Sequence, residues 1–487
     1  MRRRLMPAAA GALLFAAPLG AQQVPGDSVS LSLAEALSMA VTRSEEVRLA
    51  AGQVEVAAAQ VRTARSSLLP QVNTQLAYTK TLRSVFQGAG FEIPDSLRFE
   101  PDSMASFAER IRYLEENTPN AALGALGGLF SNLPFGRENA WTALATVNQP
   151  VFAGGRIRSG IQIAQHAEEA AAASLDETRA DVLLQVREAY YTALLATESE
   201  QIVETSVALA EQHLARVQLL LENGQASELD ALRAEVELEN LRPQLVQARN
   251  GHALALLNLK RLVNVPMDAP LRLTTPLVVS DGAQEIARAA LPTLAQAESQ
   301  LARRAAVRAA EQQVEIRREQ VDIAKAALLP SVALTANLSR QAFPGGFIPK
   351  DWQDDWNVGF AVQWPLFQGF RRGAEIDAAQ AQVRQAELQV DQLRESVRLQ
   401  YEQSLGELER ARAQIEAASR TASQAQRVYE LTELRYNEGL ATQLDVSQAR
   451  LQLQQARTNF ANALHDFYLA RARAERALGV DSTGAGR

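Results

Sequence analysis

The chain has 487 residues, 49 basic against 56 acidic side chains for a net charge of −7, no cysteine, and a mean hydropathy of −0.15. Without cysteine there is neither a disulfide nor an N-terminal lipid attachment. Acidic and basic residues are interleaved rather than clustered, which reads as solvated helix faces and excludes nucleic acid as an expected partner.

Met1-Arg2-Arg3-Arg4, an apolar run from Leu5 to Leu19 and Gly20-Ala21 before Gln22-Gln23 predict a secretory signal over residues 1–21. The run is short and broken by Pro7 and Pro18, which makes a membrane anchor the weaker reading. No later window offers the roughly 18 apolar residues of a spanning helix, so an exported chain of this kind is either soluble outside the cytoplasm or a β-barrel.

A helix from about Ser44 leads to Leu68-Leu69-Pro70, and a strand follows at about 71–80, where Val72, Thr74, Leu76 and Tyr78 alternate with Asn73, Gln75, Ala77 and Thr79. Residues 80–140 are an insertion with a short helix expected at Ser103 to Glu116; an outward lid and a plain surface loop are both open readings. A noisier strand occupies about 141–152. A long helix from Arg156 to Asn223, a turn at Gly224 and a return helix from Ser227 to Asn264 complete a first unit, 22–265. Pro243 is expected to kink or break that return helix.

After a Pro-containing link at 266–284 the pattern repeats over 285–480, before a tail at 481–487. A helix from about Leu294 reaches Leu328-Leu329-Pro330, and strands follow at about 331–340 and 356–367. In the last of these Trp356, Val358, Phe360, Val362 and Trp364 share one face, opposite Asn357, Gly359, Ala361 and Gln363. The next helix, Gly369 to Gly439, would be on the order of 100 Å long. Its apolar positions step Ile376, Ala379, Val383, Ala386, Val390, Leu393, Val397 and, after one slip, Tyr401, Leu408, Ala411, Ile415, Ala418, Ala422, which is a coiled-coil seam. A turn at Gly439 and a return helix from Thr442 to Gly479 close the second unit.

The two units are copies. Gly224…Leu229-Asp230 recurs as Gly439…Leu444-Asp445, and at the same spacing of about 215 residues Pro150, Phe152, Gly154, Arg156 and Gln185 meet Pro365, Phe367, Gly369, Arg371 and Gln400. A second offset, about 260 residues, relates Leu68-Leu69-Pro70 to Leu328-Leu329-Pro330.

Each strand has the length that crosses a bilayer when tilted, and Trp141, Trp356 and Trp364 fit an interfacial aromatic girdle against outer membrane lipid. The alternative is a soluble sheet with one buried face, and it leaves that face without a cover. Four strands cannot close a barrel, so copies of the chain must share one: three would give twelve strands, two would give eight.

The repeated halves, the Leu-Leu-Pro junctions, Gln149-Pro150-Val151-Phe152, Trp364-Pro365-Leu366-Phe367 and the turn from Tyr436 to Val446 together resemble the TolC family of outer membrane efflux ducts. The resemblance implies a fold that is mainly α with a membrane β-barrel: a long coiled-coil tunnel in the periplasm, and four strands per chain in a shared twelve-stranded barrel of a homotrimer in the outer membrane. It also implies a periplasmic adaptor and an inner-membrane pump as partners, the adaptor docking at the tips Gly224, Gln225, Gly439 and Leu440. Asp445 matches an aspartate that lines the periplasmic aperture, and Tyr436 a tyrosine that ties it closed. Ala441 and Gln448 stand where other members have an arginine and a second aspartate. The resemblance thus implies a periplasmic gate of Asp445, Tyr436, Gln448 and Asp230; Asp230, in the first copy, could instead start its helix, a role open to Asp445 as well.

No cofactor, metal or catalytic group is expected. His166, His213, His252 and His465 lack metal-ligand spacing and read as surface histidines. The sequence therefore reads as an exit duct gated at its periplasmic end. Its rival is a periplasmic coiled-coil adaptor or structural protein without a pore.

Overall fold

The computed structural model describes residues 29–83, 99, 101–131, 138–277 and 291–479. The expected signal segment and C-terminal tail lie outside the described residues, as do parts of the 80–140 insertion and the end of the link. In chain order the elements are β1 (Val29–Leu31), α1 (Leu33–Arg43), α2 (Glu45–Ser66), β2 (Gln71–Lys80), α3 (Phe107–Ser131), β3 (Asn139–Phe152), α4 (Arg156–Glu222) and α5 (Glu228–Leu262). They continue with β4 (Leu271–Leu273), α6 (Leu294–Leu301), α7 (Ala305–Ala326), β5 (Ser331–Ala342), β6 (Gln353–Gln363), α8 (Arg371–Asn437) and α9 (Gln443–Leu478). They form two compact units, one of Met1–Gln53, Ala171–Ala309 and Val390–Arg487, the other of Val54–Ala170 and Ala310–Gln389.

In the first unit helices pack through the seam that the spacing predicts. Val390, Val397, Tyr401, Leu408, Ala411 and Ile415 of α8 are all buried. The main core gathers Val186 and Tyr190 of α4, Leu259 of α5 and Leu464 and Phe467 of α9 around Leu31 and Ala40. Burying each large side chain contributes about 2 kcal/mol. Tyr190 also donates from its hydroxyl to the Leu31 carbonyl at 3.0 Å, so a fully buried phenol keeps its hydrogen bond.

Three features of this unit depart from expectation. The link contains a strand that was not expected, β4, which pairs in parallel with β1, Leu31 opposite Leu273. The helix expected from Leu294 is two helices, α6 and α7, since the chain breaks where Arg304 turns inward; its guanidinium meets Gln400 Oε1 at 2.6 Å and Glu177 Oε1 at 3.2 Å. Its counterpart in the first copy, Ser44, lies at the break between α1 and α2. Pro243, by contrast, does not break α5: it sits on the exposed face, where water can take the carbonyl that loses its N–H partner.

The second unit carries an antiparallel sheet of order β2-β3-β5-β6. Its register places one apolar face across all four strands. Val72, Leu76 and Tyr78 lie opposite Val147, Ala143 and Trp141; Leu338 lies opposite both Ala145 and Trp356; Leu334 lies opposite Phe360 and Val332 opposite Val362. Polar residues take the other face, where Asn337 donates to Asn357 Oδ1 at 2.9 Å. The apolar face is open to the surroundings, with Phe360 79% and Trp356 73% exposed. No helix among the described residues is long and apolar enough to cross a membrane.

The tryptophans divide between the two ends of the strands. Trp141, at the loop end, donates from Nε1 to the Phe347 carbonyl at 2.7 Å and packs on Tyr78 with ring centroids 5.0 Å apart. Trp364 is not in a strand: β6 ends at Gln363, and the indole instead donates to the Leu328 carbonyl at 3.1 Å. Pro365 has no N–H for a ladder, which ends pairing there. Gln149, the equivalent residue of the first copy, donates to the equivalent Leu68 carbonyl at 3.0 Å. Trp356 lies within β6, opposite Leu338. In the insertion, α3 starts later and runs further than Ser103 to Glu116: Ser106 and Glu109 cap it, and it continues past Pro119 to Ser131.

The glycine before each long helix is left-handed, Gly154 at φ 62° and Gly369 at φ 59°. A Cβ on Gly154 would stand 2.7 Å from the Ala326 carbonyl, whereas one on Gly369 meets nothing within 4 Å. Gly369→Ala should therefore cost about 1 to 2 kcal/mol, the left-handed penalty alone, and Gly154→Ala clearly more. Unfolding free energies of the two variants check this, and equal losses would refute the close approach at Gly154.

Candidate functional site

The two helical reversals are built alike from the backbone upward. α4 ends with Gly224 at φ 73°, whose N–H reaches the Leu221 carbonyl at 2.9 Å while Gln225 N–H reaches Leu220 at 2.8 Å. α8 ends with Gly439 at φ 72°, its N–H on Tyr436 at 3.0 Å and Leu440 N–H on Arg435 at 2.7 Å. This pair of bonds satisfies the last carbonyls of each helix and requires a left-handed residue, which glycine supplies without strain. Gln225 and Leu440 are left exposed at the turns, Leu440 at 68%.

The following helices start on reciprocal caps. Ser227 donates from its hydroxyl to Asp230 Oδ2 at 2.6 Å and receives Asp230 N–H at 3.2 Å; Thr442 and Asp445 repeat this at 2.7 and 3.2 Å. Both aspartates thus act as helix starters. Asp445 is exposed, and the Thr442 backbone N–H and hydroxyl hold its carboxyl below the usual range, so it is charged at neutral pH.

Behind the turns the side chains converge. Tyr436 is half-buried with its ring 5.5 Å from that of His213 on α4, and burial together with the Asp230 charge pushes its phenol up. The structure therefore brings Tyr436 near Asp230, while Asp445 bonds to its own cap. Arg216 of α4 donates to Asn437 Oδ1 at 2.6 Å and lies 3.8 Å from Glu433, a second tie between α4 and α8. Gln448, exposed on α9, lines a groove of about 680 Å³ with Leu444 and Leu451 of α9 and Leu229, Leu232 and Val236 of α5.

Arg450, only 3% exposed, pairs at the base of that groove with Glu237, which also accepts from Ser447 at 2.7 Å. Sequence reasoning passed over this pair. Its signal was a charged residue next to the seam positions Val446, Ala449 and Leu453, all buried.

The histidines correct the surface reading. His252 meets Glu200 at 2.6 Å, His166 meets Gln312 at 2.8 Å and His465 meets Thr192 at 3.3 Å, each half-buried between helices. Facing helices offer carboxylate, amide or hydroxyl groups, and an imidazole there is held by hydrogen bonds. Among the described residues no group of three or more His, Asp or Glu is placed to hold a metal.

The family described as outer membrane efflux protein matches residues 36–265 and 297–480. The chain is 27% identical over 271 residues to the protein CyaE of Bordetella pertussis, 55% of this chain and 56% of that one. It is 25% identical over 324 residues to the outer membrane efflux protein BepC of Brucella suis, 66% of this chain and 69% of that one. Its fold is that of CusC, with a TM-score of 0.70 at 18% identity over 93% of this chain and 94% of the other.

If the caps hold the reversals, Thr442→Ala should destabilise the first turn of α9 by about 1 kcal/mol. Amide exchange there should quicken by about fivefold, while α5 stays unchanged. Equal exchange in variant and parent would remove the cap from the account.

Proposed function

Because the chain belongs to the outer membrane efflux protein family, we propose that it serves as the passive exit duct of a tripartite efflux or type I secretion system, gated at its helical reversals. The observation that carries this reading is the four-stranded sheet with one open apolar face, in the same chain as two helices of 67 residues. A coiled-coil adaptor has no use for such a sheet. In lipid the unpaired edges of β2 and β6 must meet other strands, and three copies of the chain supply the twelve that a barrel of this family's kind requires.

In this reading the polar face lines the lumen and the helices prolong it into the periplasm. At the tips of a trimer the three Asp445 carboxylates ring the aperture and favour cations there. Tyr436, near Asp230, and the Arg216 contacts to Asn437 and Glu433 hold α8 on α4 in the closed state. With Ala441 and Gln448 in place of further charged groups, closure rests on these contacts and on packing. The groove beside Gln448, together with exposed Gly224, Gln225, Gly439 and Leu440, offers an adaptor its docking surface, and an inner-membrane pump supplies the energy.

In planar bilayers the purified assembly should conduct in discrete steps, and Asp445→Ala should raise conductance and relieve block by divalent cations. A folded assembly that never opens, with or without that substitution, would sink the duct reading; unchanged currents in the variant would remove Asp445 from the gate.

A further inference from the structure

The tip contains a titratable group that neither conduction nor the gate contacts described above employ. His213 of α4 is half-buried, and its Nε2 atom is buried with no hydrogen-bond partner. It is unlike the other three histidines, each of which has a bonded partner on another element or beside it.

The groups facing it come from every helix packed there. Arg216 belongs to α4 itself, Glu237 to α5 and Arg450 to α9, and α8 presents the Tyr436 ring, with Tyr429 and Glu433 in the same cluster around Arg216. Glu237 is committed to Arg450 and to the Ser447 hydroxyl, and Glu433 faces Arg216. A proton on the imidazole therefore meets two guanidinium groups and a carboxylate already engaged. The tilted Tyr436 ring offers only a weak attraction in return.

Burial, with Arg450 and then Arg216 outweighing the pull of Glu237, holds the His213 pKa below the ordinary imidazole range. A depressed folded-state pKa means that the tip has its full stability above about pH 6.5, the unfolded value, and loses it as pH falls toward the folded one.

We propose that His213 is a pH-sensitive latch on the helical reversal: neutral, it lets α8 close over α4, and protonated, it drives the α8 turn away from α4 and α5. That the loosened tip is the mouth of a conducting duct rests on the function proposed above; the latch itself does not.

The test compares hydrogen exchange of the full-length protein in lipid nanodiscs at about pH 7.5 and about pH 5.5, corrected for intrinsic exchange, in the parent, His213→Gln and His213→Phe. Phe keeps a ring against Tyr436 and cannot titrate, so it stands in if Gln perturbs folding. The parent should lose up to about tenfold protection in residues 205–222 and 425–440 at the lower pH, the ceiling for a group kept neutral one unit below its unfolded pKa. Both variants should lose none of it, and the core around Tyr190 should not respond in any of the three. Equal loss in parent and variants, or no loss in the parent, would overturn the latch and leave the duct standing. Loss confined to the parent, in an assembly that conducts at neither pH, would confirm the latch and count against the duct alone.

Discussion

A strand in hydrocarbon has no water to satisfy its N–H and C=O groups, and this constraint organises the rest of the molecule. The sheet of one chain satisfies β3 and β5 on both sides but leaves an edge on β2 and on β6. Its apolar face suits lipid, and its edges do not. Association is thus a requirement of the sheet before it is a property of the helices. Duplication is an economical route to it, since each copy contributes one hairpin-like pair of strands and the helices that feed them.

The copies keep their backbone and exchange their side chains. Gln149 and Trp364 cap equivalent Leu carbonyls, one with an amide and one with an indole, and only the indole also suits an interface. Gly155 and Phe370 both take positive φ, although only glycine does so without cost. Ser44 and Arg304 stand at equivalent breaks, yet only Arg304 inserts a charge between helices. Glu177 accepts that charge together with Arg476; burial alone would raise its pKa, and the two guanidiniums bring it below the ordinary range instead. The fold tolerates such divergence because each position is held by backbone geometry, while the side chain answers to its own neighbours.

The reversals show the same division. Their hydrogen bonds are nearly identical, so the caps account for the repeated Gly and Asp without any gating role, while Leu229 and Leu444 stay exposed along the groove. What distinguishes the second reversal is the aromatic before it: Tyr436 packs against His213 and feels Asp230, whereas Leu221 stands at that position in the first. In the proposed duct, a gate at Tyr436 would be coupled to helix packing rather than to the turn itself.

Local pattern alone determined much of this protein. Period-two alternation located β2 and the shared apolar face, the seam from Ile376 to Ala422 located the packed side of α8, and Gly224 and Gly439 located the reversals, because each signal is a property of residues near one another in sequence. The inward turn of Arg304, the pairing of β1 with β4, the Arg450 and Glu237 pair and the surroundings of the histidines were decided only in three dimensions. Each depends on partners tens to hundreds of residues away, and no periodicity records which face of one helix will meet which face of another. Asp445 lies on the boundary between the two: its cap is written in Thr442-Gln443-Leu444-Asp445, while any part it takes in an aperture is set by where three such turns converge.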